Sequence, residues 1–210
     1  MADLNQISEM LQKGKAKDVE RLVQEALAAG TPVKDILEKG LIAGMSIIGE
    51  KFKNNEVYVP EVLIAARAMN KGMAILEPAM VKAGIQPVGT IAIGTVKGDL
   101  HDIGKNLVGM MFKGAGFKVV DLGIDVGPEK FVAAAKEHNC GLIGLSALLT
   151  TTMPAMKDIV QAVRAAGLKT KVLIGGAPLT QAYADEIGAD GYSADAASAV
   201  QKGLALIGKK

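Results

Sequence analysis

The chain has 210 residues, half of them apolar, and its 24 Lys plus Arg nearly balance its 22 Asp plus Glu. With no block of like charge beyond the last two lysines, no Trp and only 3% aromatic residues, it lacks the features of a nucleic-acid-binding protein. No apolar run reaches the roughly 18 residues of a membrane span, the first residues lack the order of a signal peptide, and Cys140 is the single cysteine. We therefore expect a cytoplasmic protein without nucleic-acid or membrane partners.

Apolar residues recur at helical spacing from Leu4 to about Lys82. One helix ends at Gly30, and Thr31 as N-cap with Pro32 in the first helical position predicts the start of another. Pro60 begins the last helix, whose apolar positions step by four and three along one face: Val62, Ala66, Met69, Met73, Leu76 and Met80. The short connections predict a four-helix bundle, and we assign residues 1–86 to a helical domain.

Short apolar runs separated by helical segments follow, at residues 90–96, 117–122, 141–146 and 171–175, with a weaker run near Tyr192. They lack polar alternation, as strands buried on both faces do. Five such units in about 120 residues favour a flavodoxin-like (Rossmann-like) five-stranded parallel sheet, which we assign to residues 87–210. Ligands of such sheets bind beyond the carboxyl ends of the strands.

His101 directly follows the first predicted strand, where a ligand group is expected. Asp99 could hold one imidazole nitrogen while the other faces a metal, and Asp102 could cap the next helix. The buried stripe of that helix is predicted at Ile103, Leu107, Met110 and Met111.

A metal bound only by side chains normally needs three or four of them as ligands. The sequence has two His, one Cys and no suitably spaced carboxylate cluster. A metal on His101 would therefore bring its other ligands in a cofactor, such as a macrocycle with four equatorial nitrogens. A loop histidine that only bonds its neighbours is the alternative.

Three spaced motifs resemble those of cobalamin-binding domains: Asp99-x-His101-x-x-Gly104, Ser146-Ala147-Leu148 and Gly175-Gly176. The helical half is similar to the cap domain of the same family in residues 49–52, 59–62 and 68–70. The resemblance covers nearly the whole chain. It is greatest with the stand-alone corrinoid proteins of methyltransferase systems and with the cap and cobalamin-binding domains of methionine synthase.

The resemblance implies that cobalamin or a related corrinoid binds base-off, with His101 as the lower axial ligand of cobalt and Asp99 as its proton-linked partner. Thr152 would complete the relay, although serine is more common there. Ser146 would hydrogen-bond the displaced base. The remaining expected cofactor contacts are Asp102, Gly104, Leu148, Thr150, Gly175 and Gly176, with Phe52, Val59 and Val62 from the cap.

Each of these positions also has a purely structural interpretation. Ser146 could end a strand, the glycine pair could be a turn, and Gly104 could serve helix packing. The threonines from Thr150 to Thr152 could belong to a helix start, and the three cap residues could be bundle core.

By this resemblance the chain is a corrinoid methyl carrier. Co(I) would accept a methyl group from a substrate-specific methyltransferase of the methanol, methylamine or methoxyaromatic type. Methyl-Co(III) would donate it to a second, acceptor methyltransferase for transfer to tetrahydrofolate or a thiol, and a reductive activation protein would be a further partner. No phosphate-binding loop or nucleophile elbow occurs in the sequence, so a subunit of a multi-component methyltransferase is expected rather than a complete enzyme.

Three other functions remain open. An adenosylcobalamin-dependent sensor shares this arrangement, but it would usually add a DNA-reading domain, and the first helices show no basic recognition helix. The small subunit of an adenosylcobalamin mutase lacks the bundle. A receiver-type signalling domain needs a phosphorylatable Asp after the third strand, where Ser146 stands.

Overall fold

The computed structural model describes residues 3–209, which divide into two compact units. One unit runs to Pro87 and includes Gly114–Gly116, and the other contains residues 88–113 and 117–209. No helix in this described range is long and apolar enough to cross a membrane.

The first unit is helical throughout. Its elements are α1 (Leu4–Gln12), α2 (Ala16–Ala28), α3 (Val33–Asp35), a π-helical stretch (Ile36–Ile42), α4 (Ala43–Lys53) and α5 (Val59–Lys82). The π-helical stretch joins α3 to α4 without a break, so the chain passes four times along the unit and the predicted four-helix bundle is confirmed.

Two predicted helix starts in this unit are wrong by one residue each. The third helical segment begins at Val33 with Pro32, not Thr31, in the N-cap position, because Pro32 is still extended (φ −54°, ψ 129°). α5 begins at Val59, and the Glu61 carboxylate accepts the N–H of its N-cap residue, Tyr58, at 3.1 Å. A carboxylate in the first turn stabilises the orphan N–H groups of a helix start.

Most of the predicted α5 seam is buried, and small residues let the bundle helices approach closely. Val62 and Leu76 are fully buried, whereas Met73 is only partly so. A Cβ added at Gly72 would lie 2.7 Å from Leu41 Cδ2, which shows that the α5 backbone rests directly on side chains of the facing helix.

The second unit alternates strands and helices, as predicted. The strands are β1 (Thr90–Thr95), β2 (Lys118–Asp121), β3 (Leu142–Ser146), β4 (Lys171–Gly175) and β5 (Gly191–Ser193). The helices are α6 (Ile103–Gly114), α7 (Pro128–Glu137), α8 (Pro154–Ala165), α9 (Gln181–Ile187) and α10 (Ala196–Leu206). All strands pair in parallel in the order β2-β1-β3-β4-β5, which confirms the flavodoxin-like sheet.

The core of this unit lies between the sheet and its helices. Phe131 on α7 is fully buried, and a Cβ at Gly94 of β1 would lie 2.8 Å from its ring. The absence of a side chain at Gly94 therefore leaves room for the Phe131 ring. β1 lies between β2 and β3, and the connection that leaves β1 leads to β2 on one side, whereas the connection that leaves β3 leads to β4 on the other side. The loops after β1 and β3 are therefore brought together at the switch point of the sheet.

Asp190, just before β5, links the amino-terminal end of β4 to α8. Its carboxylate accepts hydrogen bonds from the Val172 N–H (2.8 Å), from Lys171 Nζ (2.9 Å) and from the Arg164 guanidinium. Burial opposes the charged form, but these donors outweigh it and hold the pKa of Asp190 below its usual value.

Candidate functional site

The candidate site lies at the carboxyl edge of the sheet, where the loops after β1 and β3 meet. Thr95, the last residue of β1, pairs with Ser146, the last residue of β3, and the Val96 N–H donates to the Ser146 carbonyl at 3.0 Å. This pairing sets Asp99 and His101 of one loop beside Leu148 and Thr152 of the other, although about 50 residues separate them in sequence.

Asp99 connects the two loops. Its side chain is fully buried, and Oδ2 accepts the Leu148 N–H at 2.8 Å, the Thr152 hydroxyl at 2.8 Å and, more weakly, the Leu149 N–H at 3.4 Å. Oδ1 accepts the backbone N–H of His101 at 3.0 Å and lies 2.9 Å from His101 Nδ1. The predicted Asp99, His101 and Thr152 constellation is therefore present as a connected chain of hydrogen bonds.

Two opposing effects act on the Asp99 carboxylate. Burial alone would raise its pKa, but donors from Leu148, His101 and Thr152 outweigh this and hold the pKa of Asp99 far below its usual range. An ionised Asp99 favours a proton on His101 Nδ1 and leaves Nε2 as the nitrogen with a free lone pair.

His101 itself is presented outward on a fixed backbone. Its side chain is 53% exposed, while the buried Thr95 hydroxyl donates to the His101 carbonyl at 2.8 Å. The backbone is thus held by the end of β1 and the ring by Asp99. This is the arrangement of a ligand whose free nitrogen is directed by its neighbours.

The loops that follow β1, β2 and β3 carry exposed apolar side chains at the same edge of the sheet as His101. Their exposed fractions are unusually high for aliphatic residues at Leu100 (68%), Ile103 (78%), Ile124 (44%), Leu148 (43%) and Leu149 (41%). Exposed apolar side chains at the edge of a sheet that also carries a polar group are typical of a binding site.

The prediction that Ile103 belongs to the buried stripe of α6 is wrong. Ile103 is the first residue of α6 and stands at the carboxyl edge of the sheet, before the helix packs on it, so its side chain joins the apolar rim. Leu107 and Met111, further along the stripe, are buried as predicted, and Met110 is partly buried.

The glycines expected at the cofactor site differ in their surroundings. A Cβ at Gly104 would meet no atom within 4 Å, so the start of α6 borders open space. A Cβ at Gly176 (φ +144°) would lie 1.9 Å from the Ala147 carbonyl oxygen, and one at Gly175 would lie 3.3 Å from the Ser193 carbonyl oxygen. The β4 and β3 ends therefore approach more closely than a side chain at Gly176 would allow.

The remaining predicted site residues are placed as follows. Thr150 and Asp102 are exposed, and Asp102 accepts a hydrogen bond from Asn106 Nδ2 (3.0 Å) rather than from a backbone amide as predicted. Ser146 is partly buried at the end of β3, with Leu148 beside it. In the helical unit, Phe52 and Val59 are partly exposed, whereas Val62 is fully buried, which agrees with the bundle-core interpretation.

Sequence reasoning missed a buried cation next to the site. Lys105 in the first turn of α6 is only 3% exposed, and its Nζ lies 2.6 Å and 2.7 Å from the Asp121 carboxylate oxygens and 2.7 Å from Asn106 Oδ1. A lysine just inside an apolar helix was the available signal, because the positive end of the helix dipole disfavours a cation there unless it is paired. The pair ties α6 to the end of β2.

These residues fit a metal that brings its own equatorial ligands. Within residues 3–209 no group of three or more His, Cys, Asp or Glu is placed to hold a metal ion. The site offers one oriented imidazole inside an apolar surface, which matches the needs of a flat macrocycle with one open axial position. A corrinoid therefore fits the donor set and the surface.

Comparison with known proteins agrees with this site. Family models described as B12 binding domains match residues 89–201 and residues 3–77. A corrinoid protein of Desulfitobacterium hafniense strain Y51 is 42% identical over 214 residues, covering 100% of this chain and 99% of that protein. The trimethylamine corrinoid protein of Methanosarcina barkeri is 47% identical over 187 residues, 87% of this chain and 86% of that protein.

Among solved structures, a chain of the methanol:cobalamin methyltransferase complex MtaBC from Methanosarcina barkeri superposes with a TM-score of 0.86 and 29% identity. The match covers 97% of this chain and 79% of that chain.

Proposed function

The chain belongs to the B12-binding corrinoid proteins of methyltransferase systems, and from this premise we propose that it carries a methyl group between two partner enzymes through His101. The observation that carries the proposal is the His101 imidazole, bonded at Nδ1 to a buried carboxylate and exposed among aliphatic side chains. When bound, the corrinoid supplies a cobalt centre that can accept a methyl group and release it.

His101 would be the lower axial ligand through Nε2. The Asp99 carboxylate keeps the Nδ1 proton in place and makes the imidazole a stronger donor. Thr152 donates to the same carboxylate oxygen as Leu148 and so holds it against rotation. The strength of the axial bond would thus be tuned by the chain of contacts from the β3–α8 loop to the imidazole.

The rest of the carboxyl edge would accommodate the corrin and its displaced nucleotide tail. Gly104 leaves open space at the start of α6, and Leu148 adds apolar surface beside His101. Ser146 would bond the displaced base, with Asp102, Thr150, Gly175 and Gly176 as further contacts along the tail. Residues 87–210 would form this cobalamin-binding domain and residues 1–86 its cap, with the partly exposed Phe52 and Val59 as cap contacts and the buried Val62 supporting them from the bundle core.

The choice of methyl donor would lie with a partner. Relatives are named as dimethylamine and trimethylamine corrinoid proteins and as part of a methanol:cobalamin methyltransferase complex. The site residues proposed here would all serve the corrinoid rather than a methyl donor. We infer a substrate-specific methyltransferase as one partner, an acceptor methyltransferase acting on tetrahydrofolate or a thiol as the second, and a reductive activation protein as the third. A cytoplasmic location is consistent with this reductive chemistry.

The test compares the wild type with His101→Ala and His138→Ala after incubation with hydroxocobalamin. His138, the only other histidine, ends α7 and serves as the matched control. Wild type and His138→Ala should retain corrinoid with a histidine-ligated visible spectrum, and His101→Ala should show a base-off spectrum or release the cofactor. After reduction, labelled methyl iodide should leave light-sensitive label on the wild type. Failure of the wild type to retain corrinoid, or an unchanged spectrum in His101→Ala, would contradict the proposal.

A further inference from the structure

Asp125 of the β2–α7 loop contacts the loop after β1 at two places, one on each side of the Gly98–Asp99 peptide. The Asp125 carboxylate accepts the Gly98 N–H at 2.7 Å, and the Asp125 N–H donates to the Asp99 carbonyl at 3.1 Å. The flanking backbone is paired as well, because the Val126 N–H donates to the Thr95 carbonyl at 3.0 Å.

Both residues that form this contact, Asp125 and Gly98, have a positive φ. Asp125 has φ +54° and Gly98 has φ +83°. A residue with a side chain adopts a positive φ only at a cost, which is smallest for Asp and Asn, so such conformations persist where several contacts determine them. Here two hydrogen bonds across the loops do so.

The contact adds to a turn in which the Asp99 N–H donates to the Val96 carbonyl at 3.1 Å, and it acts on two groups that the other anchors of the loop do not hold. Thr95 holds the carbonyl of His101, and donors from the β3–α8 loop hold the carboxylate of Asp99. The Gly98 N–H and the Asp99 carbonyl, which fix the direction in which the loop leaves β1, are both held by Asp125.

We propose that Asp125 is a positioning residue that sets the reach of the His101 imidazole toward the corrinoid cobalt, an inference that rests on the proposed function. Asp125 is exposed and lies outside the hydrophobic core, so the hydrogen bond that its side chain accepts contributes little to folding. Its loss would let the Gly98 peptide rotate, and the change would pass through the Asp99 backbone to the imidazole two residues further on. The effect therefore falls on the cobalt–imidazole bond.

Two variants separate the hydrogen bond from the backbone conformation. Asp125→Gly permits φ +54° without strain and removes the acceptor for Gly98, whereas Asp125→Asn tolerates the same φ and keeps a carbonyl oxygen in that place. Each full-length protein is loaded with cob(II)alamin, and the ratio of histidine-ligated to base-off cofactor is measured from the nitrogen splitting in the electron paramagnetic resonance spectrum.

We expect Asp125→Gly to lower this ratio about fivefold, the effect of one ordinary hydrogen bond, and Asp125→Asn to stay within about twofold of the wild type. The thermal midpoints of the cofactor-free proteins should differ little. A wild-type ratio in Asp125→Gly, or an equal loss in Asp125→Asn, overturns the inference. If the wild type shows no nitrogen splitting and matches His101→Ala, the proposed function itself fails.

Discussion

Replacing Thr152 by valine isolates one contact of the Asp99 carboxylate, because valine has nearly the shape of threonine without the hydroxyl. The Thr152 side chain is buried, and its hydroxyl lies 2.8 Å from Asp99 Oδ2 and 2.9 Å from the Leu149 carbonyl. A hydroxyl has one proton, and the charged acceptor is the stronger one. We therefore expect the substitution to remove a donor from a fully buried carboxylate.

The size of the effect follows from what remains around Asp99. A hydrogen bond to a charged group contributes about 1.5–3 kcal/mol, and Asp99 keeps the Leu148 N–H at 2.8 Å and two contacts from His101. A loss of about 2 kcal/mol is therefore expected. For a chain of this size it lowers the thermal midpoint by about 4–8 °C.

Urea denaturation and thermal melting of the cofactor-free protein measure this loss, with Thr152→Ser as the matched control. Serine keeps the hydroxyl and removes one methyl group, which should cost about 0.8 kcal/mol. If Thr152→Val unfolds at the same urea concentration as Thr152→Ser, the hydroxyl does not stabilise the Asp99 carboxylate and the reasoning fails.

Three further predictions concern the sheet unit. Gly176→Ala should prevent stable folding, with a cost above about 3 kcal/mol, because the new Cβ would lie 1.9 Å from the Ala147 carbonyl oxygen. Since the fold lowers the pKa of Asp190, its ionised form stabilises the protein above the unfolded value of 3.8. This contribution is lost as the pH falls through the folded pKa, so Asp190→Asn should flatten the acid side of the stability curve. Asp121→Asn should destabilise more than Lys105→Met, because it leaves a buried ammonium without its carboxylate.

Each of the three substitutions can be compared with a control protein. Gly167→Ala, at φ +68° with no atom within 4 Å of the new Cβ, should cost only about 1–2 kcal/mol, so an equal loss there would remove the steric explanation for Gly176. Equal acid midpoints in the wild type and the Asp190 variant would contradict the linkage argument. A Lys105 variant less stable than the Asp121 variant in urea would contradict the buried-cation argument.

Elements whose signal is local could be predicted from the sequence. The four longer strands were recognised within one residue at each end, since a strand buried on both faces is a continuous apolar run bounded by polar and glycine residues. The position of Asp99 and His101 at the carboxyl edge could be predicted because a parallel sheet places the residues that follow its strands there. Both arguments need only neighbouring residues.

Errors arose where a position depends on more than its own helix. Ile103 fits the periodicity of the α6 stripe but is 78% exposed, because the helix begins beyond the edge of the sheet. The helix after Pro32 begins at Val33, one residue later than predicted, since capping patterns locate a start only to within a residue or two.

The sequence by itself determined the order of helices and strands, the sheet class and the choice of His101 as the candidate cofactor ligand, because these follow from periodicity and from residues close in the chain. Only the tertiary structure decided what holds that histidine. Thr152 reaches Asp99 across 53 residues and Asp125 reaches Gly98 across 27. Such contacts depend on which strands are neighbours and on how far each loop extends beyond them, and no local pattern encodes either.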